Sequence, residues 1–170
     1  MLIRSELETP VGPLTLITTD RAVILCECSD NPDRINRYLT KHFAGVKTSK
    51  MGANDVFHNE VLMKLKSYFA GYATALEGIR TDARGSEFDK RIWQALRTIP
   101  AGVTWSYGDL AEAAESHPRA VGGANGRNPI ALITPCHRVI GKDGSLTGYA
   151  GGVARKQWLL EMEGAIKSLL

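Results

Sequence analysis

Two helix-start signals in the second half of the chain restrict its fold more than any other feature. Ser86 and Asp89 are three residues apart, as are Ser106 and Asp109, which is the spacing of an N-terminal capping box. Apolar residues at helical spacing follow each signal. A short polar turn then leads into residues 119–125, where another helix is expected. Helix, turn, helix is the spacing of a DNA-binding unit, although many helical hairpins share it.

The segment after that turn is rich in small residues. Gly122 and Gly123 each cost a helix roughly 1 kcal/mol relative to alanine. Its long polar side chains are few, namely Arg119, Asn125 and Arg127. A helix that reads base edges in the major groove usually carries more of them. The pattern therefore favours contact by shape, with close packing on a neighbouring helix as the alternative.

A polar, glycine-containing run at 80–85 indicates a linker between two domains. Residues 1–83 predict an α/β scaffold domain, and residues 84–170 a second domain with the candidate functional residues. In the first domain the pattern predicts strands at 14–18 and 22–28 and helices at 33–43 and 60–69. In the second, a final helix carries Leu159, Met162, Ile166 and Leu169 on one side.

Charge is distributed unevenly between these two parts. Residues 1–83 contain ten basic and ten acidic residues, whereas residues 84–170 contain eleven and eight, so the net charge of +3 lies entirely in the second part. A surface for an anionic polymer is therefore expected there, with an ordinary solvated surface as the alternative. No apolar run approaches the roughly 18 residues of a membrane span, so we expect no membrane association.

The three cysteines favour a reducing compartment, and we expect a cytoplasmic protein. An odd number of cysteines argues against a disulfide framework. Cys26 and Cys28 alternate within a predicted strand, where they would share one face as small apolar residues. Their spacing does not fit a zinc site, and we expect no metal.

Cys136 is the leading candidate for chemistry. It follows an apolar run at 130–133, which predicts a buried strand, and Pro135, which restricts the backbone. A side chain just beyond a buried segment has little freedom. The next residue is His137, a possible base for a thiol nucleophile. Taken alone, however, a cysteine is more often a packing residue than a nucleophile.

Six ordered motifs identify a resemblance to the O6-alkylguanine-DNA alkyltransferases, in particular the bacterial stand-alone type. They are Pro-Cys-His-Arg at 135–138, Arg-Ala-Val-Gly at 119–122, Asn-Pro at 128–129, Ser-Tyr at 106–107, Gly-Tyr-x-Gly-Gly at 148–152 and Leu-Leu-x-x-Glu-Gly at 159–164. The resemblance is strong over 86–164, and looser at 9–14 and 68–71. One departure is visible, because the segment from Tyr107 to Arg119 is about two residues shorter than is usual in the family.

The resemblance implies an α+β protein with an RNase H-like N-terminal α/β domain, built on a small antiparallel sheet, and a mostly helical C-terminal domain of the winged helix-turn-helix type. It implies direct-reversal DNA repair, in which an alkyl group of O6-alkylguanine, and also of O4-alkylthymine, moves irreversibly to Cys136 after base flipping. Each molecule would react once, as a monomer and without a cofactor. Its partner would be double-stranded DNA, contacted in the minor groove by the second helix of the pair.

The same resemblance implies a role for each matching residue. Cys136 would be the nucleophile, His137 would take its proton through a water, and Glu163 would orient the imidazole. Tyr107 would donate to the departing base, Asn128 would hold the Cys136 loop or contact the base, and Arg119 would enter the base stack. The other expected contacts to DNA or the base are Ser106, Ala120, Gly122, Gly123, Asn125, Arg127, Val139 and Tyr149.

Three other functions compete with this interpretation. A non-catalytic lesion sensor of the alkyltransferase-like kind would lack the cysteine that is present at position 136. A cysteine hydrolase using Cys136, His137 and Glu163 would turn over esters or amides without DNA. A helix-turn-helix regulator would require a strong sequence preference, which the glycine-rich helix does not promise.

Overall fold

The computed structural model describes residues 1–167 and divides into two compact units, Met1–Arg84 and Gly85–Leu170. The described elements combine helices with a small mixed sheet, which makes the fold α+β. Within this part of the chain, no helix is long and apolar enough to cross a membrane.

The first unit is built on a four-stranded sheet with the order β3-β2-β1-β4. Its strands are β1 (Leu2–Leu7), β2 (Leu14–Thr18), β3 (Val23–Cys28) and β4 (Thr48–Lys50). The first three pair antiparallel, whereas β4 runs parallel to β1, so the expectation of a purely antiparallel sheet is wrong. A helix between β3 and β4 carries the chain back across the sheet, which permits a parallel strand.

Two helices accompany this sheet, α1 (Pro32–His42) and α2 (Val56–Phe69). Pro32 starts α1, and basic residues occupy its last turn, where they complement the helix dipole. Ile35 of α1 is buried in a core cluster with four residues of the strands, Leu2, Ile17, Ile24 and Leu25. The predicted α1 agrees to within one residue at each end, whereas α2 begins four residues earlier than predicted.

A buried histidine joins α2 to the sheet. His58 has no exposed surface, and its two ring nitrogens lie 2.7 Å from Ser5 Oγ and 2.9 Å from Thr18 Oγ1. Burial lowers the pKa of His58, so the ring is neutral near pH 7 and can share one proton with two hydroxyl groups. This arrangement fixes the helix on β1 and β2.

The predicted linker is in part a sheet edge. Val23 donates its amide to Arg80 O at 2.9 Å, and Asp82 donates to Val23 O at 2.8 Å. Thr81 thereby forms a parallel bridge with Val23 at the start of β3. The polar sequence of this run concealed the pairing, because main-chain hydrogen bonds at an edge require no apolar side chains.

The second unit is mostly helical, with α3 (Glu87–Leu96), α4 (Tyr107–Ala113), α5 (Pro118–Gly126), α6 (Val153–Met162) and a parallel pair of short strands, β5 (Trp105–Ser106) and β6 (Val139–Ile140). Ser106 and Asp109 form the complete capping box expected of α4. At α3, Ser86 accepts from the Asp89 amide at 3.0 Å, while the Asp89 carboxylate binds Arg127. Leu169 lies outside the described residues, and α6 ends at Met162.

The apolar run at 130–133 is not the predicted strand. Ile130 is an isolated bridge residue and residues 131–133 form turns, in which Thr134 donates its amide to Ile130 O at 3.0 Å and Leu132 adopts a φ of +70°. All four residues are buried. A short apolar run indicates burial without distinguishing a strand from a tightly turned segment.

Candidate functional site

Cys136 begins a single 3-10 turn, Cys136–Arg138, which leads directly into β6. Its amide donates to Thr134 O at 2.8 Å, and the Arg138 amide donates to Pro135 O at 3.0 Å. These bonds fix the backbone on both sides of the sulfur. Cys136 retains 7% of its surface exposed, so it lies just beneath the surface of the second unit.

The histidine that follows Cys136 is held by a glutamate at the end of α6. His137 Nε2 lies 2.8 Å from Glu163 Oε1, and both side chains are completely buried. Arg138 holds the same carboxylate from its other side, with Nε 3.0 Å from Oε2 and Nη2 2.8 Å from Oε1. The remaining Arg138 nitrogen, Nη1, donates to Ile99 O at 2.6 Å.

The charges of this cluster determine which nitrogen of His137 carries the proton. Burial alone would raise the pKa of Glu163, but hydrogen bonds from His137 and Arg138, together with the charge of Arg138, lower it to about 2. The carboxylate is therefore ionised at neutral pH and acts only as an acceptor. Burial lowers the pKa of His137 and outweighs the opposing effect of Glu163, so the ring is neutral. Its proton must then be on Nε2, facing Glu163.

The other ring nitrogen is consequently a free base. His137 Nδ1 is buried and has no hydrogen-bond partner among the residues described in the structure. An unpaired lone pair inside a protein is costly unless a water or a substrate uses it. The cluster therefore supplies a neutral base on the residue next to the Cys136 thiol, with its orientation fixed by Glu163 and Arg138.

Tyr107, the first residue of α4, provides a hydroxyl group in the same unit. Its Oη donates to Thr147 O at 3.3 Å. Burial raises the pKa of Tyr107, and a charge on Cys136 raises it further, so the phenol keeps its proton near neutral pH. Gly148 adopts a φ of +73°, and a Cβ at this position would lie 3.0 Å from Tyr107 Oη. A glycine here therefore leaves space for the phenol.

Asn128 fastens the end of the α5 segment to the loop that precedes Cys136. Its Nδ2 donates to Thr134 O at 2.9 Å, and its Oδ1 accepts from the Ile130 amide at 3.0 Å. The side chain is buried. Of the two roles expected for Asn128, this geometry favours holding the loop over contact with a base.

Helix α5 presents a small exposed face. Arg119, Ala120 and Gly123 are exposed, and Gly122 is half-buried on the side that faces Tyr107. A sharp turn precedes the helix, in which Glu115 has a φ of +51°. This is the segment that looked shortened in the sequence, and His117 Nδ1 caps the amide of Arg119 at 3.3 Å.

Two of the predicted DNA contacts are not freely available on this helix. Asn125 is 3% exposed, because it shares the buried face of α5 with Val121 and Ala124. Arg127 is exposed, but its Nε and Nη2 bind both carboxylate oxygens of Asp89 at 2.7–3.3 Å. The burial of Asn125 leaves little of its side chain available for the expected DNA contact, and Arg127 is already engaged in an ion pair.

Of the other expected contacts, Ser106 and Val139 already have hydrogen-bond partners within the protein. The Ser106 hydroxyl accepts from the Asp109 amide at 3.0 Å, so it is used as the cap of α4. The Val139 carbonyl, expected to accept from a base, already accepts from Lys156 Nζ at 2.5 Å. Tyr149 is half-buried in the glycine-rich loop before α6.

Sequence reasoning missed Arg138 and Lys156. Both are buried in the site, and neither was assigned a role. A signal for Lys156 was present, because Lys156, Leu159, Leu160 and Glu163 follow the i, i+3, i+4, i+7 spacing of a buried helix face. Two charged residues on such a face indicate a polar site beneath the helix.

Comparisons with known proteins agree with this site. Residues 87–165 match the family model described as 6-O-methylguanine DNA methyltransferase, DNA binding domain. A methylated-DNA–protein-cysteine methyltransferase of Salmonella typhimurium is 41% identical over 167 residues, 96% of each chain. One from Mycobacterium leprae is 56% identical over 160 residues, 93% of this chain and 90% of the relative.

Solved structures extend the similarity to the fold. A crystal structure of Mycobacterium tuberculosis O6-methylguanine methyltransferase has a TM-score of 0.79 and 36% identity, covering 99% of this chain and 96% of that one. A crystal structure of Mycobacterium tuberculosis OGT in complex with DNA has a TM-score of 0.79 and 37% identity, covering 96% of this chain and 93% of that one.

Proposed function

Because the chain belongs to the methylated-DNA–protein-cysteine methyltransferase family, we propose that it repairs DNA by moving an alkyl group from O6 of guanine to Cys136 Sγ. The observation that carries this proposal is the buried His137–Glu163 pair, whose unpaired Nδ1 belongs to the residue next to the thiol. A thiol with a free pKa near 8.5 needs such a base at neutral pH.

The reaction requires one proton transfer and one displacement. His137 Nδ1 takes the proton of Cys136 through a water, which leaves a thiolate. The sulfur attacks the alkyl carbon, an S–C bond forms, and the C–O6 bond breaks with its electron pair going to the base. Tyr107 donates a hydrogen bond or proton to the departing guanine, which is a poor leaving group as an anion. The thioether that remains on Cys136 has no means of removal, so each molecule reacts once.

The alkylated base must leave the duplex to reach Cys136, at a cost of a few kcal/mol. Arg119 fills the space that the flipped base leaves in the stack. Its side chain is exposed, and its planar guanidinium can stack on bases. Exposed Ala120 and Gly123 let the α5 backbone approach the minor groove closely. A damaged pair opens more cheaply, which gives selectivity without base readout.

Further details of the proposal follow the family resemblance. The two units are assigned as an RNase H-like domain and a winged helix-turn-helix domain, in which α4 and α5 form the helix pair. The protein acts as a monomer in the cytoplasm, where a reducing environment keeps the Cys136 thiol out of disulfides. O4-alkylthymine is a second substrate of the same pocket.

A mass measurement tests the proposal directly. The protein is incubated with a duplex that contains one O6-methylguanine, and with the matched unmethylated duplex. We expect Cys136 to gain one methyl group with the methylated duplex alone, in a ratio of one methyl to one protein, and Cys136→Ala to gain none. DNA binding without a mass change would favour a lesion sensor or a regulator. Turnover of an ester without DNA would favour a cysteine hydrolase.

The contact between Gly148 and Tyr107 gives a sharper prediction. Gly148→Ala places a methyl group 3.0 Å from Tyr107 Oη and should shift the phenol slightly from its position, lowering the methyl-transfer rate by up to about tenfold, part of the effect of a general acid. Gly144→Ala is the matched control, because Gly144 has a similar φ of +85° with nothing within 4 Å of its Cβ position. Both variants carry a comparable backbone strain. Equal transfer rates in the two variants would contradict a role for Tyr107.

A further inference from the structure

Lys156 is a completely buried lysine in the second unit, and the reaction described above leaves it without a role. Its Nζ donates to Val139 O at 2.5 Å and to Thr147 O at 3.0 Å. Among the residues that the structure describes, its polar partners are these main-chain oxygens rather than a carboxylate. A buried ammonium without an anion is expensive, so its retention needs a physical reason.

The charged groups around Cys136 identify the missing anion. Glu163 is neutralised by Arg138 and hydrogen-bonded to His137, which is itself neutral. Tyr107 keeps its proton. The charge of Lys156 is therefore the one that remains without a counter-ion. Burial lowers the pKa of Lys156, while a negative charge on Cys136 raises it, and a thiolate would gain reciprocally from the ammonium.

The carbonyl groups that Lys156 binds belong to two segments, one that follows Cys136 directly and one that contacts Tyr107. Val139 follows the 3-10 turn that contains Cys136, and Thr147 O also accepts from Tyr107 Oη. One ammonium thus joins the segment that carries the nucleophile to the segment that meets the phenol. It can act on the thiol by charge and on both segments by position.

We propose that Lys156 is a positioning residue whose buried ammonium serves as the counter-charge of the Cys136 thiolate and ties the Val139 and Thr147 segments together. The proposal rests on Cys136 being the alkyl acceptor. Lys156 touches neither the alkyl group nor the base, so its contribution is to the fraction of thiolate before DNA binds. This fraction can be measured without DNA.

The test is a pH titration of Cys136 in the intact protein. Thiolate absorbance is recorded as the difference between each protein and the same protein carrying Cys136→Ala, which cancels Cys26 and Cys28. The rate of Cys136 alkylation by iodoacetamide is followed in parallel by peptide mass spectrometry. Lys156→Met removes the charge at similar volume, Lys156→Arg retains it, and Lys142→Met removes an equal charge from the exposed turn after β6.

We expect Lys156→Met to raise the pKa of Cys136 by about one, so that alkylation at pH 7 slows about tenfold and recovers at a pH above the pKa. Lys156→Arg should retain part of the effect, and Lys142→Met should match the wild type. An unchanged titration in folded Lys156→Met, or a loss of rate that is equal at every pH, would overturn the proposal. If Lys156→Met does not fold, a wild-type thiol that titrates at or above about 8.5 would still overturn it.

The outcome is separable from that of the proposed function. A wild-type protein that accepts no methyl group from DNA but shows the Lys156-dependent titration would refute the repair function and retain the electrostatic role. A protein that accepts the methyl group while its thiol titrates independently of Lys156 would retain the repair function and refute this inference.

Discussion

His137→Ala is expected to slow methyl transfer to Cys136 by up to about 30-fold at pH 7, because a thiol with a pKa near 8.5 is only about 3% ionised there without a base. The neutral ring holds its proton on Nε2 against Glu163 and leaves Nδ1 as the base. Without it, the thiol must ionise unaided from a pKa near 8.5. The measurement is the single-turnover rate of methyl uptake from a duplex containing O6-methylguanine, followed by mass.

The pH dependence distinguishes this role from simple damage to the site. The defect of His137→Ala should shrink as the pH rises through the pKa of the thiol, at about 8.5 or below, because the thiol then ionises without a base. In the wild type, the lowered pKa of His137 should keep the ring neutral and place the acid limb of the rate below 6.5. His42→Ala, a change on α1 of the first unit, is the control and should leave the rate unchanged. A defect that is constant with pH would argue against a base.

The sequence singles out the candidate reacting residues because they fall into motifs. Cys136 and His137 are adjacent, and Glu163 lies in the separate Leu-Leu-x-x-Glu-Gly motif. The fold brings them together because α6 packs on the 3-10 turn and ends with its C-cap, Glu163, beside His137. Helical spacing alone could place Glu163 on the buried face of α6, but it could not identify what lies beneath that face.

The environments of Asn125 and Arg127 were not foreseen, for different physical reasons. Val121, Ala124, Asn125 and Asn128 follow the i, i+3, i+4, i+7 spacing of one helix face, so the burial of Asn125 was readable from the sequence. The engagement of Arg127 was not, because Asp89 is 38 residues away. A long-range ion pair depends on how α3 and α5 pack, and local periodicity contains no information about that packing.

The wrongly predicted strand at 130–133 and the strand β4, which was not predicted, share a cause. The run at 130–133 is apolar throughout, and Asn128 supplies hydrogen bonds that a neighbouring strand would otherwise provide. Conversely, Thr48–Lys50 forms β4 without any apolar residue. In these short segments, a strand forms where a neighbouring strand can bond the main-chain amide and carbonyl groups. The alternation of side chains does not decide it.

Arg138 should contribute more to stability than any surface ion pair of the second unit. Arg138→Met leaves the Glu163 carboxylate, whose side chain is 0% exposed, without its bidentate partner. Breaking a buried pair on one side costs about 3–5 kcal/mol, because a buried charge is left uncompensated. We expect a loss of that size in the free energy of unfolding. Urea unfolding followed by tryptophan fluorescence measures it, since Trp93, Trp105 and Trp158 all lie in the second unit.

A second arginine–carboxylate pair provides the control for this prediction. Arg127 binds Asp89 with two nitrogens, as Arg138 binds Glu163, but the Arg127 side chain is 56% exposed. The Asp89 side chain is 10% exposed, against 0% for Glu163, so Arg127→Met should cost less than Arg138→Met, about 1–2 kcal/mol. Comparable losses in the two variants would show that burial does not determine the contribution, and would contradict the argument for Glu163.

The pH dependence of stability should distinguish the two arginine variants further. The folded pKa of Glu163, about 2, lies below its usual 4.5, so its ionisation stabilises the fold above 4.5, and this stability is lost as the pH falls from 4.5 towards 2. The contribution is about 3 kcal/mol. Arg138→Met removes the main cation at this carboxylate, raises the folded pKa of Glu163, and should flatten the acid limb of the unfolding curve. Arg127→Met should leave the loss of unfolding free energy at acid pH as steep as in the wild type. An equally steep loss in Arg138→Met would contradict the role of Arg138, because His137 alone would then keep Glu163 ionised.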